Sequence, residues 1–158
     1  DIAQASGVVA GLCYPYFDSK QRLFREATEA YVEECCGLIR RTLGDGTLSL
    51  SQKLDRLYET LLGESDFRYH GFFHRSGNED FHQQLSLRLC QRMAPLLRDA
   101  LAQEERRTGR RFRAPETLIA FVTYGQIPLL SASETSRRET LDRVRRYIDL
   151  LLEAEQQA

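Results

Sequence analysis

No apolar run in this 158-residue chain approaches the ~18 to 20 residues that a bilayer span needs, and no charged-then-apolar leader opens it. The expectation is a soluble, cytoplasmic protein with no membrane partner. Excess charge of one sign is also missing: 22 Lys+Arg stand against 23 Asp+Glu, a formal net charge of -1. The molecule as a whole is therefore no polycation seeking nucleic acid, and any basic surface must be local. Strand signals are scarce, because period-2 alternation of β-branched residues persists nowhere while spacings of three and four recur, which predicts an all-α fold. Absent too are a nucleophile elbow, a phosphate-binding glycine loop and a spaced pair of catalytic acids, so neither an enzyme nor a cofactor is expected. Four cysteines (Cys13, Cys35, Cys36, Cys90) follow no metal-ligand spacing, and adjacent Cys35 and Cys36 are poorly placed for a disulfide with each other. They read as buried, reduced thiols.

What the chain does hold is a succession of helical patterns. Short helices are predicted over Asp1 to Ala5 and about Ala10 to Phe17, with the turn at Ser6-Gly7. Asp18 or Ser19 then offers a cap to a longer helix whose apolar face is Leu23, Phe24, Ala27, Ala30, Tyr31, Glu34, Cys35 and Leu38. Gly44-Asp45-Gly46 reads as a turn, and Ser49 or Ser51 as the cap of a helix carrying Leu54, Leu57, Tyr58, Leu61 and Leu62. From Glu79 a helix runs through Phe81, Leu85, Leu89 and Met93, with Pro95 expected to break or restart it and Thr108-Gly109 to end it. Pro115 suits the first turn of a helix to about Leu130, and a last helix is predicted from about Arg138 to Glu155.

The two short helices around a glycine turn, the second followed by aromatic residues and a lysine, describe a helix-turn-helix. The chain begins at Asp1 in what reads as the middle of a helix, so residues are expected to precede it. Ile2, Val8, Cys13 and Phe17 would face a small core. Ala10, Gly11, Leu12, Tyr14, Pro15 and Tyr16 would face outward, where a recognition helix meets DNA.

The run IAQASGVVAGLCYPYFDSKQRLF, Ile2 to Phe24, resembles the TetR family of one-component transcriptional regulators, whose pattern is approximately IAxxAGVSxGxLYxYFxSKExLF. The resemblance implies a DNA-binding domain over residues 1–24, incomplete at its N-terminus, followed by a helical effector-binding and dimerisation domain over 25–158. It implies that Tyr14 and Tyr16 hydrogen-bond phosphates or pack on the sugar backbone, and that Lys20 neutralises a phosphate. Ala10, Gly11 and Leu12 match the positions nearest base edges, where only apolar readout is open to them. The departures are Val9 for a small polar residue, Cys13 for leucine, and Pro15, which removes a backbone donor. The function implied is a ligand-responsive regulator, a repressor released from a palindromic double-stranded DNA operator by a small-molecule effector. The alternative is a helical dimeric ligand-binding or interaction module that has lost DNA binding.

The later helices fit a homodimer. Between Pro115 and Leu130 one apolar stripe holds Leu118, Phe121, Val122, Gly125 and Leu129, while Ile119, Ala120, Ile127 and Leu130 lie off it. The final helix adds Leu141, Val144, Ile148, Leu151 and Leu152. In the family that this chain resembles, the last two helices form the dimer interface, which places these ten named stripe residues there. The sensor candidates are Phe67, Tyr69, His70, Phe72, Phe73, Phe81 and His82, a dense group of rings with polar handles that suits either a ligand pocket or ordinary core packing. No complete metal-ligand set accompanies His70 and His74, and no metal is expected. Arg106, Arg107, Arg110, Arg111 and Arg113 around Gly109 read as a solvated loop.

Overall fold

The computed structural model describes residues 19–62, 77–130 and 137–157, and they are almost entirely helical. In chain order they form α1 (Lys20–Gly44), α2 (Leu50–Leu62), α3 (Glu79–Thr108), β1 (Arg111–Phe112), α4 (Pro115–Gly125), α5 (Ile127–Leu130), α6 (Arg137–Glu155) and β2 (Gln156–Gln157). The chain divides into two compact units, Asp1–Glu34 and Cys35–Ala158. The helical and turn patterns before residue 19 lie outside the described residues.

Local chemistry sets the helix ends. Ser19 Oγ accepts the N–H of Arg22 at 3.1 Å and so caps α1; the other cap candidate, Asp18, lies outside the described residues. At α2 the choice falls on Ser49. Its Oγ accepts the Gln52 N–H at 3.3 Å while Gln52 Oε1 accepts the Ser49 N–H at 2.9 Å, a reciprocal capping box. Gly109 closes α3 in the left-handed region (φ 75°), its N–H donating to Glu105 O at 2.9 Å. That conformation suits a residue without Cβ. Pro115 occupies the first turn of α4.

Three expectations are corrected. Pro95 neither breaks nor restarts α3, which runs unbroken for 30 residues. Pro95 and Gln91, the residue whose carbonyl loses its donor, are both exposed, so water can serve that carbonyl while the opposite face packs. The helix begun at Pro115 does not reach Leu130 in one piece but ends at Gly125, with α5 following; Pro128 lacks the N–H that would bond Tyr124. The apolar face of α1 is rotated from its predicted position. Tyr31 and Cys35 are buried as expected, but Ala27, Ala30 and Glu34 are exposed, and Val32, Cys36, Ile39 and Leu43 are buried instead. The mostly helical fold agrees with the all-α expectation, and the strands among the described residues form a two-residue antiparallel ribbon, Arg111 opposite Gln157 and Phe112 opposite Gln156, too short to leave a period-2 signal.

The core of the second unit draws on every long element in it. Ile39 and Leu43 of α1, Leu50, Leu54, Leu57 and Tyr58 of α2, Leu97, Ala100 and Leu101 of α3, Phe112 of β1, Leu118 and Ile119 of α4, and Leu141, Val144 and Ile148 of α6 form one cluster. Helix α3 packs on α4, and α2 packs on both α6 and α3. Each fully buried leucine or isoleucine contributes about 1.5 to 3 kcal/mol relative to exposure. Polar ties fix the register at the rim. The half-wrapped Arg145 guanidinium of α6 reaches Asp55 Oδ1 (2.9 Å) and Ser51 Oγ (2.8 Å) on α2, and also pairs with Asp149 one turn along.

Candidate functional site

The DNA-facing candidates Ala10, Gly11, Leu12, Tyr14, Pro15 and Tyr16 lie outside the described residues. Lys20 opens α1, directly after the Ser19 cap. A helix start presents unpaired N–H groups and the positive end of the helix dipole, so this position favours anions before any side chain is counted.

Of the sensor candidates, Phe67, Tyr69, His70, Phe72 and Phe73 also lie outside the described residues, as does His74. Phe81 and His82 stand in the first turn of α3, both half-buried, and the His82 N–H donates to Asn78 O at 2.9 Å. Further along α3, Cys90 is buried and its thiol donates to Thr123 O on α4 at 3.4 Å. Burial pushes this thiol up to about 11, which suits a structural cysteine and not a reactive one. Among the described residues no group of three His, Cys, Asp or Glu side chains is placed to hold a metal ion, and no described helix is long and apolar enough to cross a membrane.

The interface candidates separate into two sets. Leu118, Leu141, Val144 and Ile148 are buried within the chain's own core, with Val122, Leu151 and Leu152 packed half-buried against it. Leu118, Leu141, Val144 and Ile148 thus have their side chains enclosed by the chain's own core, which leaves the exposed residues of the same helices as the ones open to another surface. Phe121 and Leu129, by contrast, are exposed, Phe121 by 66 %. Gly125 is exposed as well, and a Cβ added there would meet nothing within 4 Å, so this stretch of α4 is open to an approaching surface.

Sequence reasoning missed three further exposed apolar residues on these helices: Tyr124 on α4, and Tyr147 (56 %) and Leu150 (61 %) on α6. Their signal was present. Tyr147 and Leu150 lie off the Leu141-Val144-Ile148 stripe, and an apolar residue off the stripe is the one the monomer does not use. Also missed was a polar group: buried Lys53 of α2 beside Gln103 and Glu104 of α3. A lone lysine in an amphipathic helix reads as solvent-facing, so periodicity could not have found it.

Tyr58 joins the core to the α4–α5 break, its hydroxyl donating to Gln126 Oε1 at 3.0 Å. Burial pushes the phenol up to about 12, so it stays a neutral donor across any ordinary pH.

No family model matches the chain, and no curated protein or solved structure is significantly similar to it.

Proposed function

We propose that the chain is part of a ligand-responsive, DNA-binding transcriptional regulator of the TetR type, a homodimer that represses from a palindromic operator and leaves it when a small molecule binds. One observation carries the reading: from Ile2 to Phe24 the glycine turn, Tyr14, Tyr16, Phe17, Ser19-Lys20 and Leu23-Phe24 keep the spacing of a recognition helix and the helix that follows it. The cap that Ser19 makes on α1 supports it, since it sets Lys20 on a first helical turn where phosphate attraction is strongest. Support for pairing comes from Phe121, Tyr124, Leu129, Tyr147 and Leu150, five large apolar side chains exposed on the last three helices.

The protein acts by binding and not by catalysis. An effector held by the aromatic segment with Phe81 and His82 shifts DNA affinity only by its own difference in affinity for the two conformations. In a dimer the two recognition helices must reach major-groove segments about 34 to 36 Å apart, hence the palindrome.

The test is binding of the intact protein to near-palindromic DNA, selected from a random pool, across a salt series. Saturable binding with a steep salt slope is expected, and Lys20→Ala should weaken binding to all sequences and reduce that slope by about one. A folded dimer that selects no DNA would overturn the reading and leave the ligand-binding or interaction module in its place.

A further inference from the structure

A cleft of about 390 Å³ opens between the α1–α2 turn and the C-terminal part of α3. Its walls include the turn glycines, Lys53, Gln103, Glu104, Arg106 and Arg107. Lys53 is the unusual member. It is only 1 % exposed, although an ammonium is among the groups that most resist burial.

The hydrogen bonds around it are unequal. Glu104 is fully engaged: Oε1 accepts Arg107 Nη2 at 2.6 Å, and Oε2 accepts Arg107 Nε at 2.9 Å and the Leu50 N–H at 3.1 Å. Asp45 is likewise engaged by its own turn, accepting the Thr47 N–H at 2.9 Å and the Thr47 hydroxyl at 2.5 Å, with Arg56 at 3.5 Å. Lys53 Nζ donates to Gln103 Oε1 at 2.6 Å, and among the described residues that neutral amide is the single acceptor it has. An ammonium carries three donors, so two remain unmatched. Burial lowers the Lys53 pKa, and the field of Asp45 and Glu104 opposes that fall without supplying a bond.

Charge bookkeeping points the same way. Lys53, Arg106 and Arg107 face one carboxylate, Glu104, leaving an excess of two positive charges; adding the Asp45–Arg56 pair does not change it. Arg106 is exposed and has no ion-pair partner among the described residues.

We propose that this cleft is a binding site for a small dianion, a phosphate monoester or a dicarboxylate, whose oxygens accept the two remaining protons of Lys53 and the guanidinium of Arg106. The volume exceeds that of a bare phosphate and falls in the range of small-molecule sites, so the anionic group arrives on a compact polar body. The site shares no residue with the aromatic sensor segment or the DNA-facing helix, and it stands or falls separately from the regulator reading.

Calorimetric titration of the intact protein with inorganic phosphate and with succinate, against acetate and chloride at matched ionic strength, tests it. Saturable binding of phosphate or succinate above the two controls is expected. Phosphate alone would assign the phosphate-ester source, and succinate alone the dicarboxylate. Arg106→Ala, at an exposed position that should not disturb folding, should weaken the better dianion about 3- to 10-fold, and Lys53→Met about 10- to 100-fold. Heat indistinguishable from acetate and chloride would overturn the proposal. So would an affinity unchanged in Arg106→Ala, which decides the matter alone if Lys53→Met does not fold.

Discussion

The two faces of α6 are made of similar residues and lie in opposite surroundings. On one, Leu141, Val144 and Ile148 are enclosed by α2 and the rest of the core. On the other, Tyr147 and Leu150 stand more than half exposed, one helical position or two away from the buried stripe. Hydrophobicity alone does not separate them. What separates them is phase: the stripe at spacings of three and four belongs to the subunit's own core, and the apolar residue out of phase with it is left for something else. Helix α4 repeats the lesson, with Leu118 and Ile119 inside and Phe121 outside.

The inner face should break first and hardest. Ile148→Glu would bury a carboxylate among Leu50, Leu54 and Leu118 with no partner, a change expected to cost more than about 4 kcal/mol and to unfold the second unit instead of merely parting two subunits. Leu141→Ala, which leaves a cavity at a site only 1 % exposed, should cost about 3 to 5 kcal/mol. Urea denaturation followed by circular dichroism checks both. A folded Ile148→Glu protein would mean that the two faces of α6 have been assigned the wrong way round.

Alkali probes the same interior without a mutation. Tyr58 ionises at about 12 and Cys90 at about 11 in the folded chain, against ordinary values of 10.0 and 9.0. Both groups are neutral when protonated, and the folded state holds the proton to higher pH than the unfolded one. Their contribution is therefore complete below pH 9 and is lost as pH rises, first for the thiol from 9 to 11, then for the phenol from 10 to 12. Two pH units correspond to roughly 2 to 3 kcal/mol for each. The urea midpoint should fall steeply from about pH 9, and Tyr58→Phe should flatten the segment above pH 10 while costing part of the bond to Gln126. A midpoint indifferent to pH across that range would place both groups at the surface.

A smaller effect belongs to the helix cap. Ser49→Ala removes the acceptor for the Gln52 N–H and half of the reciprocal pair at α2. The expected loss is about 1 kcal/mol, read as a shift in urea midpoint with an unchanged slope. Gln52→Ala should reproduce part of it, because either side chain alone leaves one N–H of the turn unserved.

Helix existence was legible because the apolar spacing in α2, α3 and α6 is regular over many turns, and the ends at Ser49, Gly109 and Pro115 carry residues whose backbone chemistry dictates a boundary. Phase was legible where the stripe was unambiguous, as at Leu54, Leu57 and Tyr58. It failed on α1, where apolar and small residues crowd several faces and the choice between Ala30 and Val32 is made by tertiary packing. Pro95 misled because the cost of a missing donor depends on whether water reaches the orphaned carbonyl, a property of the fold and not of the local sequence. The cleft at Lys53 was invisible for a related reason: Gln103 and Glu104 lie fifty positions away, and only the packing of α2 against α3 brings them beside it.

The outer face should show the smallest effect on the fold and the most informative one on assembly. Leu150→Glu, Tyr147→Ser and Phe121→Ser each remove an apolar surface already in contact with water, so the stability of the isolated subunit should move by no more than about 0.5 kcal/mol. If these side chains pair two subunits, the same substitutions remove desolvated anchors from an interface, where a single large apolar truncation costs more than about 1 kcal/mol and two symmetric copies double it. Sedimentation over a dilution series then gives a dimer for the parent chain and a monomer for the double variant Tyr147→Ser, Leu150→Glu, with helicity retained in both. A double variant that stays dimeric would move the contact to another surface, and Phe121→Ser in the same assay would show whether α4 carries it. Because the inner-face variants lose folding and the outer-face variants lose only association, the two kinds of failure cannot be mistaken for each other.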